Sequence, residues 1–281
     1  MLNKFSMCIF VCIFSLLVFA QQKAPVQISK ENAEILKKNE ALKPPLLPQE
    51  PIVAKEKSDA EDEGLKGKVK QVVDEREEQS GGAREISHVM YFNERGNFLE
   101  RDYYSQGNLY LITTYGYIDG KRVAKGKYIE SENDAALRVA PLKPKNEEPL
   151  KKADTRFDYS LEYKYVNGKL AQTQMISNRD EAGMRYVYNH TNNQIEKLVY
   201  TKEGDLNQKY LVILDKEGNI TEEIFFGLKN VDIYGDSKHR YTYEFDKRGN
   251  WIKKTASIEL TKNGITSSSP GYVKHRTIIY Y

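Results

Sequence analysis

The chain has 281 residues, 40% of them hydrophobic and 30% charged, with 43 Lys and Arg against 40 Asp and Glu. So even a balance excludes a protein drawn to nucleic acid by bulk charge, because that recognition shows as a basic stripe or domain. Both cysteines, Cys8 and Cys12, fall at the extreme N-terminus. The rest of the chain therefore has no disulfide, no thiol catalysis and no cysteine-ligated zinc.

Residues 1–20 read as a secretory signal peptide. Lys4 precedes an apolar run from Met7 to Phe19, and Val18-Phe19-Ala20 supplies a cleavage site. The run is about 13 residues, short of the roughly 20 that a spanning helix needs. No later segment is apolar for as long, so no membrane span is expected after signal cleavage. Neither cysteine has the sequence context of a lipidation site. The mature protein is expected to be exported, to the periplasm or to the exterior.

Residues 21–64 are expected to be a disordered tether. Pro25, Pro44, Pro45, Pro48 and Pro51 sit among many Lys and Glu, with no aromatic residue. Such a composition buries too little apolar area to offset its ordering entropy. One short helix fits within Ser29 to Leu42, with Ser29 as N-cap and the Pro44-Pro45 pair ending it.

From Leu65 to Tyr281 the character changes. All 20 tyrosines and the single tryptophan, Trp251, lie in this part. Strands show as alternation. In Leu161-Glu162-Tyr163-Lys164-Tyr165 the apolar body and the charges take opposite faces. In Tyr241-Thr242-Tyr243-Glu244-Phe245 three rings share a face. Reversals are marked by Gly and Asn, which tolerate positive φ. The candidates are Gly96-Asn97, Gly107-Asn108, Asp119-Gly120, Asn167-Gly168, Asn192-Asn193, Glu203-Gly204, Gly218-Asn219, Gly249-Asn250 and Asn263-Gly264. Residues 65–281 are therefore expected to form an all-β domain, a curled antiparallel sheet of consecutive β-hairpins. A proline- and charge-rich stretch at about 130–155 is read as an exposed, disordered insertion. The strands at Leu65 to Val73 and Arg276 to Tyr281 are the expected sheet edges.

The clearest turn, Tyr243-Glu244-Phe245-Asp246-Lys247-Arg248-Gly249-Asn250-Trp251, resembles the YD-repeat (RHS-type) family. Phe92-Asn93, Gly96-Asn97 and Phe98 form a weaker copy, and Leu214-Asp215, Gly218-Asn219 and Ile220 another. The likeness covers roughly Val89 to Tyr281, and only one copy has the aromatic-Asp pair before Gly-Asn. It implies hairpins joined into a long curled sheet. Some 190 residues are too few for the closed shells of the large family members. Tyr163 to Leu170, with Asn167-Gly168-Lys169-Leu170, also resembles a MORN-type repeat. Neither likeness carries a catalytic residue across.

Local catalytic signatures are absent. His88, His190, His239 and His275 are too dispersed for a zinc motif, and there is no nucleophile elbow or phosphate-binding glycine loop. No catalytic residue, metal or cofactor is assigned. Glu222, Glu223, Glu244 and Asp246 on or near strands leave one rival reading, a carbohydrate-active enzyme using dispersed carboxylates. The favoured reading is an exported, non-enzymatic binding or scaffold protein of the envelope or exterior. Its expected partner is an envelope protein or a polysaccharide. The residues assigned to ligand binding are Tyr163, Tyr165, Tyr241, Tyr243 and Trp251, because a tyrosine or tryptophan joins a large apolar body to a polar tip. The competing role for the same rings is cross-strand packing within the sheet.

Overall fold

The computed structural model describes residues 27–47, 58–118, 121–129, 158–177, 183–226 and 236–281. The signal at 1–20 and the insertion at 130–155 lie outside them. The described chain is almost entirely antiparallel sheet, as the alternation predicts. In chain order the strands are β1 (Val69–Glu78), β2 (Glu85–Phe92), β3 (Phe98–Ser105), β4 (Asn108–Ile118) and β5 (Lys121–Tyr128). There follow β6 (Tyr159–Val166), β7 (Lys169–Ser177), β8 (Met184–His190), β9 (Gln194–Tyr200) and β10 (Leu206–Leu214). The set ends with β11 (Ile220–Phe226), β12 (Asp236–Phe245), β13 (Trp251–Lys262), β14 (Ile265–Ser269) and β15 (Tyr272–Tyr280).

The reversals follow from local chemistry. Three copies of one turn have the same hydrogen bonds. Asn93, Asp215 and Asp246 each place a side-chain oxygen, Oδ1, against two backbone N–H groups, of Arg95 and Asn97, Glu217 and Asn219, and Arg248 and Asn250. The glycine of each, Gly96, Gly218 and Gly249, has φ of 80°, 88° and 78°. Each is followed by a register shift in its hairpin. A side chain that caps two amides, then a left-handed glycine and a bulge, is a complete reversal written in five residues. Asn167-Gly168 and Asn263-Gly264 make two-residue turns with both residues at positive φ. Of the expected reversals, all but Asp119-Gly120, which is outside the described residues, join consecutive strands.

The two strands expected as edges are not edges. β1 pairs with β15 along its length, from Val69 opposite Tyr280 to Glu78 opposite Tyr272. β12 pairs with β13, and β13 with β15, so the sheet returns on itself. β14 and β15 run in one direction beside β13, interrupted at Pro270-Gly271. The fifteen strands thus act as fourteen staves of a barrel. Closure satisfies the free N–H and C=O groups that both edges would otherwise present. A circular ring of fourteen strands would be about 28 Å across, wider than side chains alone can fill.

The N-terminal stretch expected to be a disordered tether is partly folded against this barrel. Helix α1 (Lys30–Asn39) starts at Ser29, whose hydroxyl accepts from the Asn32 N–H at 3.1 Å, as expected of its N-cap. Its Ile35 and Leu36 pack on Val73, Ile86, Val89, Tyr104, Leu109 and Ile112. Asn32 is buried and donates to Glu75 and to the Arg84 carbonyl. Lys43 follows with an ion pair to Glu100 at 2.7 Å. A second, short helix, α2 (Asp59–Asp62), packs on the opposite face, with Ala60 and Leu65 against Val72, Met90, Phe92, Phe98, Tyr115 and Ala124. Leu161, Tyr163, Ile278 and Tyr280 join the same cluster. Side chains of so many strands reach one four-residue helix only from the concave side. Hence α2 lies inside the barrel and α1 outside. Val72 and Val73, neighbours on opposite faces, are therefore both fully buried.

Candidate ligand-binding lumen

At the end of the barrel holding the three Asx-Gly-Asn turns, α2 is locked to the wall. Ser58 and Glu61 form a capping box. The Ala60 N–H donates to the Gly96 carbonyl, and Asp59 accepts from the Phe98 N–H. Asp59 pairs with Arg122 at 2.7 Å, and Glu63 pairs with Arg101 at 2.5 Å. Burial pushes the Glu63 carboxyl up, and the Arg101 guanidinium more than offsets it, holding the group below the usual range. Across the mouth, Asn250 accepts from the Lys66 N–H and donates to the Lys66 carbonyl and the Tyr280 hydroxyl. The segment before β1 thus fills one side of this end.

Beside the plug, Arg276 on β15 donates from Nε and Nη2 to both oxygens of Asp74 on β1, each at 2.7 Å. His88 Nε2 reaches Asp74 at 2.9 Å. The Arg276 guanidinium also lies 3.6 Å from the centre of the Trp251 ring. Burial would raise the Asp74 carboxyl, but Arg276 and His88 hold it far below the ordinary carboxylate range.

The next inner rung carries a different arrangement. Arg76, Lys274, Lys254 and Tyr243 are consecutive partners across β1, β15, β13 and β12. Like charges directly opposite one another destabilise a sheet, and here three cations are adjacent. Arg76 pairs with Glu78 at 2.8 Å and stacks on Tyr272. Lys254 lies 3.7 Å from the centre of the Tyr241 ring, and Lys274 5.8 Å from that of Tyr272. On β9, Lys197 lies 4.9 Å and 5.2 Å from the Tyr186 and Tyr210 ring centres. Among the described residues, none of these three ammonium groups has a hydrogen-bond or salt-bridge partner; each rests on tyrosine.

One carboxylate, Glu223 on β11, acts on all three lysines and accepts a short hydrogen bond from the Tyr241 hydroxyl. Burial is the main influence on the Lys254 ammonium, which Glu223 raises and Lys274 and Arg276 lower, leaving it at about 8. Burial likewise lowers Lys274, where Asp74 acts upward and Arg276 and Arg76 downward. Burial also lowers Lys197, against the pull of Glu223. The Tyr241 and Tyr243 hydroxyls are pushed well above the usual phenol range, chiefly by burial and then by Glu223.

All five rings assigned to ligand binding face inward, but in two groups. Tyr163 and Tyr165 are on β6, where the Arg122 guanidinium donates to the Tyr165 hydroxyl at 2.7 Å. A groove of about 680 Å³ that reaches these two rings is lined mainly by Lys125, Glu162, Lys164 and Gln174, which alternate with them along the strands and face outward, so it belongs to the outer wall and not to the lumen. Tyr241, Tyr243 and Trp251 are on β12 and β13, the two tyrosines beside Lys254 and Trp251 beside Arg276. The four carboxylates considered for catalysis are not brought together. Glu222 faces out and pairs with Lys238 and Arg240, Glu244 pairs with Lys253, and Asp246 caps its turn. Glu223 alone of the four faces in. Among the described residues no group of three or more His, Cys, Asp or Glu is placed to hold a metal ion.

The lysines were not picked out by sequence reading, though a signal exists. Lys254 shares its strand face with Ala256 and Ile258, and Lys274 with Tyr272 and Ile278. A cation placed in the apolar phase of a strand is the mark of a polar interior.

The outer wall differs in kind. Where no helix covers it, it carries Lys209–Glu196, Lys238–Glu222, Arg240–Glu259 and Lys253–Glu244 pairs along β9 to β13. A lipid-facing barrel presents instead a continuous apolar band about 25 Å tall. No described helix is long and apolar enough to cross a membrane.

Comparison with protein-family models and with curated proteins gives no match. Among solved structures the chain is similar to a porin-like protein from Bacteroides uniformis, with 10% identity and a TM-score of 0.45, over 75% of this chain and 98% of that one. A likeness at this level assigns neither family nor function, and the chain stands here as an antiparallel β-barrel with an aromatic, basic lumen.

Proposed function

We propose that this is an exported, non-enzymatic binding protein of the cell envelope or exterior, whose barrel works in water and receives its ligand in the lumen. One observation carries the reading: among the described residues the inner wall presents half-buried tyrosines and ammonium groups without an ion-pair partner, while the outer wall along β9 to β13 pairs its charges with one another. Rings lining a cavity wider than they can fill offer stacking faces and phenol hydroxyls together. The paired outer charges favour water over lipid as the barrel's surroundings. Dispersal of the strand carboxylates to both faces disfavours the glycosidase alternative, which needs two of them flanking one bond.

Two measurements on the full chain in its native host test this. Expressed with its signal, the protein should be recovered from the envelope or medium without detergent. Recovery only in detergent would overturn the aqueous reading. Trp251, the single tryptophan, faces the lumen and reports on occupancy. Its emission should shift on titration with short saccharides, neutral or acidic, and an unchanged spectrum across such a panel would remove the lumen as a binding site.

A further inference from the structure

Resting on that reading, we infer that the lumen selects an acidic saccharide, with Lys254, Lys274 and Lys197 as its carboxylate-binding groups and the tyrosines beneath them as its ring-stacking faces. Lys254 and Lys274 are direct neighbours across β13 and β15. Such a juxtaposition destabilises the empty barrel. It is relieved when an anion sits between the two ammonium groups. Among the described residues no carboxylate is left to supply that anion, because Glu223 is engaged by Tyr241 and is shared among three amines. Asp74 is fully committed to Arg276 and His88.

The donors also have a character. They are point-charge ammonium groups, not the planar forks that hold phosphate in two-pronged fashion. The nearby guanidinium of Arg276 spends Nε and Nη2 on Asp74 and is stacked on Trp251, and that of Arg76 is paired with Glu78. Each lysine lies over a tyrosine ring, so an anion that reaches it must also lie along an aromatic face. A sugar ring bearing a carboxylate meets both demands. Lys197 on β9 and the Lys254–Lys274 pair stand on separate strands around Glu223, which suits a ligand with more than one acidic residue.

Equilibrium titration of the full mature chain, followed by Trp251 emission, tests this with three probes: trigalacturonic acid, maltotriose and citrate. Trigalacturonic acid should bind at least about tenfold more tightly than maltotriose, and its affinity should fall as salt screens the lysines. The double variant Lys254→Gln/Lys274→Gln should lose that preference. Its melting temperature should hold or rise, because a repulsion has been removed, which separates a binding role from a structural one. Lys238→Gln, on the outer wall, should leave binding unchanged. Equal binding of maltotriose, with no effect of the double variant, would overturn the acidic selectivity and leave the lumen reading standing. Citrate binding as tightly as trigalacturonic acid would overturn the saccharide assignment. No response to any of the three would sink both.

Discussion

Substituting Arg276 by Met should open the barrel at its closing seam. Arg276 and Asp74 are 4% and 1% exposed, and they join β15 to β1, the last strand to the first. Removing the guanidinium leaves a buried carboxylate whose remaining direct partner is His88, at 2.9 Å, an imidazole that burial holds below its usual range and hence uncharged at pH 7. Breaking a buried pair in this way destabilises by about 3–5 kcal/mol. In urea, with a slope of about 2–3 kcal/mol/M for a domain this size, the unfolding midpoint should drop by about 1–2 M. The double change Asp74→Asn/Arg276→Met should recover most of that loss, since no uncompensated charge stays behind. The effect should also depend on pH. The Asp74 carboxyl is held below its ordinary value of 3.8 in the folded state. The unfolded chain therefore takes up the proton first as pH falls. The wild-type advantage over Arg276→Met should be full above about pH 5 and shrink steadily below the ordinary carboxylate range. A loss under about 1 kcal/mol at pH 7, or a double variant weaker than the single one, would refute the argument that this pair seals the barrel.

Three other outcomes are expected. Gly271→Ala puts a methyl 1.8 Å from the Ala256 carbonyl oxygen, so β13 and β15 must separate, with a loss of about 1–3 kcal/mol in thermal melts; an unchanged melting temperature would contradict this packing. Asn250→Ala removes both hydrogen bonds to Lys66, which should destabilise by about 1–3 kcal/mol and speed tryptic cleavage after Lys66, whereas an unaltered digestion pattern would count against the plug being held there. Lys254, facing Glu223, Lys274, Arg276 and Asp74, loses its charge near pH 8 in the folded state and near 10.5 when free. Affinity for trigalacturonic acid should therefore fall as pH rises through 8, while stability rises between 8 and 10.5 because only the unfolded chain still holds the proton. An affinity flat from pH 7 to 9 would remove Lys254 from the site.

Much of the fold was legible because it is local. A residue such as Asp246 caps amides two and four positions on, and Gly249 supplies the left-handed backbone, so a window of five residues specifies the reversal. Alternation over Leu161 to Tyr165 declares two faces because successive side chains of a strand point opposite ways. Ser29 announces the start of α1 by the same short-range logic. None of these signals says which face is concave. The tyrosine face of β6 would look the same on an open sheet, as would that of β12.

Sequence alone thus determined the strands, the turns and the two-faced character of the wall, since each depends on neighbours within a few residues. Tertiary structure decided the rest. Arg276 meets Asp74 at a separation of 202 residues, and no local pattern encodes that contact. Its consequence is that two expected edges become one seam. Closure then turns the aromatic face inward and draws Lys254, Lys274 and Lys197 from three strands around a single carboxylate. A site built by curvature is invisible to any reading that moves along one strand at a time.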